Sequence, residues 1–340
     1  MSKPDKVRGW AVVGTSWFAS DYIAPAINKA SGSRLVAVHS RDKARGTAFA
    51  AKHGIERSYD SYSEMLSDPE VEVVHIVTPH HLHASQTIEA AEAGKHVLCE
   101  KPMALTIEDC ECMIKTCRKN GVKLGIGFQN RHHPAHVEAR RLISSGEAGN
   151  IAFVTAQNNH GWMEFHLSGW RADPAMAGGG SLMGMGLHCV DLLRFLLAQE
   201  VEEVSALSDA KWIGKPVEET ILINLKFENG PFGSVIAGFH VPRPNNDVVI
   251  HGTKARITGV DTIGMPMKGH LQVTTDNSKT EYPFADWVIG KYVYEIEAFN
   301  RCLEEDTEPN ASGADGLEMV RLALSILESA KQQRSVRIKR

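Results

Sequence analysis

The stretch Trp10-Ala11-Val12-Val13-Gly14-Thr15-Ser16-Trp17-Phe18-Ala19 decides the fold. Its apolar run reads as a short buried strand, and Gly14 ends it where the chain must turn tightly into a helix. Strand, glycine turn and helix in that order make a phosphate cradle. The first N–H groups of a helix lack intrahelical partners and carry the positive end of its dipole. The dinucleotide fingerprint at this place is G-x-G-x-x-G. Here Ser16 stands at the second glycine and Ala19 at the third, so the loop alone is a weak match. Gly14, Thr15, Ser16, Trp17 and Phe18 are its candidate cofactor contacts.

The chain around this loop strengthens the match. Arg34–His39, Val71–Val77, His96–Cys99 and Val122–Gly127 read as further strands. Helical segments separate them, with Gly94 and Gly121 as stops and Thr106 as an N-cap. Regular strand–helix alternation predicts a doubly wound parallel sheet. After about residue 130 the pattern changes. Ile151–Asn158, Val201–Ser208, Glu218–Phe227, Gly233–Phe239 and Val248–His251 alternate apolar with polar residues, as in an antiparallel sheet with one open face. Ser181–Ala198 reads as an amphipathic helix, and Trp287–Leu303 and Asp315–Ala330 as closing helices. The expected domains are 1–130 and 131–340, with the last helix packing back on the first.

The second strand ends Val38-His39-Ser40-Arg41-Asp42. An acidic residue at the strand end would hold the ribose hydroxyl of NAD, whereas an Arg accommodates the 2′-phosphate of NADP. Ser40 followed by Arg41 therefore favours NADP(H) over NAD(H), with Asp42 close enough to reach a ribose.

Composition excludes several classes. With 37 basic and 41 acidic residues the net charge is -4, against the basic surplus of a nucleic-acid binder. No uncharged run of membrane-spanning length occurs, and the polar start does not read as a signal peptide. Six cysteines in 340 residues make no disulfide framework. Cytoplasmic localisation follows as the expectation. His80-His81-Leu82-His83, His132-His133 and the cluster Cys110, Cys112 and Cys117 look metal-like but lack ligand spacing, so no metal is expected.

Longer motifs carry a resemblance. Thr78-Pro79-His80-His81-Leu82-His83, then Ala93-Gly94-Lys95-His96-Val97-Leu98-Cys99-Glu100-Lys101-Pro102, resembles the glucose-fructose oxidoreductase / inositol dehydrogenase / MocA family. Gly127-Phe128-Gln129-Asn130-Arg131, Gly178-Gly179-Gly180 before Leu187-His188-Cys189-Val190-Asp191, and Ser312-Gly313-Ala314-Asp315-Gly316 extend it over the whole chain. Ser16 and His166-Leu167-Ser168-Gly169-Trp170-Arg171 resemble the 1,5-anhydro-D-fructose reductase type within that family. The resemblance implies a Rossmann domain, a second α+β domain on a largely antiparallel sheet, and hydride transfer between NAD(P) and a carbonyl or hydroxyl carbon of a sugar, anhydrosugar or polyol. It also implies that Thr78, Pro79, His83, Glu100 and Lys101 border the cofactor.

Lys101 lies just past a strand end, where a doubly wound sheet binds ligands. Its ammonium can hydrogen-bond a reacting oxygen and stabilise a developing alkoxide. By resemblance it is the catalytic lysine, and a cis bond at Pro102 would aim it. His188 is the second candidate acid–base group. The family pattern implies an aspartate four residues before it, and this chain has Gly184. Trp162, Trp170, Arg171, His166, Asp191 and His188 are the candidate substrate contacts. The tryptophans fit a sugar-stacking role and a core role equally. Two alternatives stay open: a redox-assisted lyase or glycosidase with tightly bound NAD, and a non-catalytic NAD(P) sensor. An open face on the second sheet would serve self-association into a homo-oligomer.

Overall fold

β1 (Arg8–Val13) is buried along its whole length, as a strand with neighbours on both edges and helices on both faces must be. The computed structural model describes residues 6–161 and 167–340. β2 (Ser33–His39), β3 (Arg57–Tyr59), β4 (Val73–Ile76), β5 (His96–Glu100) and β6 (Leu124–Gly127) join β1 in a six-stranded sheet. The order is β3-β2-β1-β4-β5-β6 and every pairing is parallel. The order reverses between β1 and β4, the switch point at which such sheets bind ligands. The expected doubly wound sheet is therefore present, with one strand more than the sequence suggested. β3 is a three-residue edge strand, Arg-Ser-Tyr, with no apolar run to mark it.

The chain divides into two compact units, Met1–Gln129 with Ile289–Glu318, and Asn130–Val288 with Met319–Arg340. A boundary at 130 alone misses the return of Ile289–Glu318. Helix Gly290–Glu304 explains that return. Its Tyr292, Val293, Ile296 and Phe299 share one buried core with Trp10, Ile23, Ile27 and Leu98. Gly125 makes room, since a Cβ there would lie 2.8 Å from the Phe299 ring. Trp10 stacks edge-on against Phe299 and donates its indole N–H to Asn300 Oδ1 at 3.2 Å. Each such buried side chain contributes on the order of 2 kcal/mol.

The second unit holds a nine-stranded sheet. Its members are β7 (Ile151–Asn159), β8 (Val201–Asp209), β9 (Thr220–Phe227), β10 (Phe232–Gly238), β11 (Val248–Gly252), β12 (Arg256–Val260), β13 (His270–Thr274), β14 (Lys279–Pro283) and β15 (Val336–Arg337). The order is β14-β13-β12-β11-β7-β10-β9-β8-β15. Pairing is antiparallel except between β7 and β10. β12 to β14 were not expected, because β13 and β14 are largely polar, half-buried to exposed strands at one edge. The segment 181–198 is not amphipathic. A π-helical turn, Leu182–Gly186, leads into Leu187–Leu197, every residue of which is buried. Its two charges are neutralised in place: Asp191 by Arg131, and Arg194 by Glu200 at 2.6 Å. The apolar stretch Pro174–Leu197 is long enough to cross a membrane, but 94% of its most apolar window is buried inside the protein.

Candidate active site

In the first unit the loop Gly14–Phe18 is fixed from both sides. Gly14 N–H donates to His39 O at 3.0 Å. Gly14 has φ +107°, and a Cβ there would lie 3.0 Å from Val77 O. Only glycine passes between the ends of β2 and β4 in this conformation. Ser16 Oγ accepts from Ala19 N–H at 3.1 Å, capping the turn that opens the helix. Trp17 is exposed, while Phe18 is half-buried and stacks on Tyr22.

Ser40 is buried, and its Oγ lies 3.3 Å from Thr15 Oγ1. Arg41 is exposed. Asp42 Oδ1 accepts from Arg45 N–H at 3.0 Å and caps helix Lys43–His53. Arg45, which the sequence did not single out, donates from Nη2 to Thr15 O at 3.1 Å. One carboxylate is thus used as a helix cap, and a guanidinium reaches back to the loop after β1.

Thr78 Oγ1 donates to Gln86 Oε1 at 2.5 Å. His83 was expected beside the cofactor. It is fully buried, with Nδ1 2.8 Å from Pro102 O and Nε2 2.9 Å from Thr78 O. It is a strut tying the loop after β4 to the loop after β5. A neutral ring can donate to only one of these carbonyls. Burial lowers its pKa, against the pull of both carbonyls and Glu100. Glu100 is also buried. Its Oε1 lies 3.3 Å from His75 Nε2, and a Cβ on Gly127 would come within 2.9 Å of its carboxylate. Lys101 follows it on a cis bond to Pro102 and is half-buried.

In the second unit the glycine run before the helix has a steric cause. A Cβ on Gly180 would lie 2.0 Å from Glu218 O. Glu218 Oε1 accepts from Leu182 N–H at 2.9 Å at the N-terminus of the helical segment. Burial raises the Glu218 carboxyl pKa, and the backbone donors of Gly180 and Leu182 oppose the rise. Further along, a Cβ on Gly184 would meet the Phe239 ring at 3.0 Å, so an aromatic edge fills the space beside this position. His188, one turn on, is 9% exposed.

Asp191 was expected to contact substrate. It is 1% exposed, and Arg131 takes both oxygens, at 2.9 and 2.6 Å, in a bidentate pair. The Arg171 guanidinium lies 4.4 Å over the Trp170 ring, and burial lowers its pKa. Trp162 and His166 lie outside the described residues. His133 Nδ1 accepts from Ala135 N–H, so its Nε2–H faces Lys268 O at 3.0 Å. His136 spans Asn130 O and Thr262 Oγ1. These histidines brace backbone. Among the described residues no group of three His, Cys, Asp or Glu is placed to hold a metal.

A model of the oxidoreductase family with an NAD-binding Rossmann fold, GFO_IDH_MocA, matches residues 8–128. The model of the C-terminal domain of the same family matches residues 136–258. The chain is 31% identical over 323 residues to 1,5-anhydro-D-fructose reductase of Ensifer adhaerens, covering 94% of this chain and 96% of that one. It is 28% identical over 335 residues to D-xylose 1-dehydrogenase (NADP(+)) 2 of Haloferax volcanii, covering 97% and 99%. The crystal structure of aldose-aldose oxidoreductase from Caulobacter crescentus complexed with glycerol superposes with a TM-score of 0.90 at 28% identity, covering 98% and 100%. With both halves matched and a relative similar along nearly its full length, the chain belongs to the Gfo/Idh/MocA family of NAD(P)-binding oxidoreductases.

Proposed function

We propose that the chain is an NADPH-dependent reductase of cyclic, sugar-like ketones. The observation that carries the cofactor preference is the group Thr15, Ser40 and Arg45. The carboxylate just past the end of β2, Asp42, is engaged as a helix cap, and Arg45 bonds the loop after β1. Ser40, Arg41 and Arg45 would hold a 2′-phosphate, and the Gly14–Phe18 loop the pyrophosphate. A nicotinamide held there would supply the hydride. Lys101 holds a proton at Nζ for the carbonyl oxygen and stabilises charge as it develops there. His188 is the second acid–base group, and Asp191 with Arg131 keeps its helix in place. Phe239 beside Gly184 gives the turn before His188 an apolar wall, which favours a ring edge bearing C–H over one bearing hydroxyl. The relative that acts on an anhydro-ketose supports this substrate class.

The test follows NADPH and NADH oxidation with 1,5-anhydro-D-fructose, inososes and open keto-sugars, with Lys101→Ala beside the parent. Turnover with NADPH that Lys101→Ala abolishes is expected. A preference for NADH would refute the cofactor assignment alone.

A dimer through the open face of the nine-stranded sheet fits the same reading. Phe232 pairs across β7 and β10 with Phe153, and Leu222 pairs with Leu207, all four substantially exposed. Phe232→Glu is expected to give a monomer in sedimentation equilibrium if this face self-associates. The six cysteines are free thiols, which suits a reducing cytoplasm.

A further inference from the structure

Glu218 and Glu219 are neighbours at the entry to β9 and point to opposite sides, as the strand period of two requires. Glu218 holds the N-terminus of the helical segment that leads to His188. Glu219 is fully buried, and its carboxylate accepts three successive backbone N–H groups: Trp212 at 2.8 Å, Ile213 at 2.5 Å and Gly214 at 2.8 Å. Gly214 takes φ +70°, which bends the chain so that the amides converge. Converging amides of this kind form a nest for an anion, filled here by the chain's own side chain. Charge-assisted bonds in a buried place make it a stiff anchor.

What the anchor fixes is the tip of the β8–β9 hairpin, and the tip presents Trp212 at 66% exposure. The indole lies against His240 with ring centroids 5.5 Å apart. His240 Nε2 is 3.4 Å from Thr220 Oγ1. Asp209 pairs with Thr220, Thr220 with Gly238, and Gly238 with Asn159. The tip therefore stands at the end of the sheet where β7 leaves for segment 160–180, and where Phe239 fills the space beside Gly184. An indole this exposed adds little to stability, yet a buried carboxylate holds the backbone that carries it. An aromatic face flanked by an imidazole and a hydroxyl suits a ring with an apolar C–H face and hydroxyls at its rim.

We propose that Trp212, backed by His240, is a stacking subsite for a pyranose-type ring, with Glu219 setting its position. This rests on the carbohydrate reading above. The probe is 1,5-anhydro-D-glucitol, titrated by saturation-transfer NMR into the full chain and into Trp212→Ala and Trp212→Phe. Trp212→Ala is expected to weaken binding about fivefold or more, and Trp212→Phe to keep most of it, with melting temperature and NADPH affinity unchanged. For any ketone the parent turns over, Trp212→Ala should raise KM and leave kcat. Equal binding by parent and Trp212→Ala overturns the subsite, as does a parent that binds no probe. So does a Trp212-dependent dimer in sedimentation equilibrium, which would make the indole a contact between copies. If the probe binds through Trp212 while the parent turns over no ketone, the subsite stands and the reductase reading falls.

Discussion

Replacing Arg45 by alanine is expected to separate the two cofactors. The guanidinium is exposed and already directed at the phosphate loop through Thr15 O at 3.1 Å, so it needs little rearrangement to meet a 2′-phosphate. A hydrogen bond to a charged group contributes about 1.5–3 kcal/mol. At 1.4 kcal/mol per decade, Arg45→Ala should weaken NADPH by about 10- to 140-fold. NADH has no 2′-phosphate and should change about twofold or less, since the removed side chain is a surface one. The assay is the dissociation constant of each nucleotide, read by quenching of protein fluorescence at low and high salt. The NADPH loss should shrink at high salt, because an exposed pair is screened. Equal weakening of both nucleotides would refute the reasoning and reduce Arg45 to a brace for the loop. No weakening of either would remove it from the site.

Three further outcomes follow from the packing. Asp191→Ala leaves the Arg131 guanidinium buried without its bidentate partner and should cost about 3–5 kcal/mol in urea unfolding, whereas an exposed ion pair such as Arg141–Glu138 should cost under about 1. Gly184→Asp forces a side chain into the Phe239 ring and should destabilise by about 1–3 kcal/mol, with Phe239→Ala recovering part of that loss in the double variant. Burial pushes the Lys291 ammonium down to about 7, against the pull of Glu295 one turn away. The unfolded chain keeps that proton up to about 10.5, so folding releases it and stability gains from this group as pH rises from about 7 to 10. The parent should therefore gain stability relative to Lys291→Met over that window, by on the order of a few kcal/mol. Parallel pH profiles for the two proteins would contradict it.

What the sequence revealed was local. Gly14 after an apolar run and Thr106 three residues before Asp109 each act on a neighbouring backbone, and Asp109 N–H does bond Thr106 Oγ1 at 3.1 Å. Glu100-Lys101-Pro102 is legible through the family resemblance instead, since Glu100 itself meets His75, far back in the chain. Arg45, Glu218 and Phe239 are not. Each acts on a residue far away in sequence, and each reads alone as an ordinary helix or strand residue. The partners of Asp191 and His83, Arg131 and two backbone carbonyls, were not legible either, because the fold brings them there. The helix at 187–197 looked one-sided because Asp191 and Arg194 are charged, although both charges are buried and paired. Strands β13 and β14 escaped notice because they close one edge of the sheet and bury only one residue between them, Leu271.

The most direct test of the account supplies NADPH deuterated at the transferable position together with 1,5-anhydro-D-fructose and follows the label by NMR. Deuterium is expected on the new carbinol carbon of the product, and no labelled product with Lys101→Ala. Consumption of substrate with the label retained in the cofactor, or returned to it while a bond elsewhere is cleaved, would contradict net reduction and make the chain a redox-assisted lyase or glycosidase.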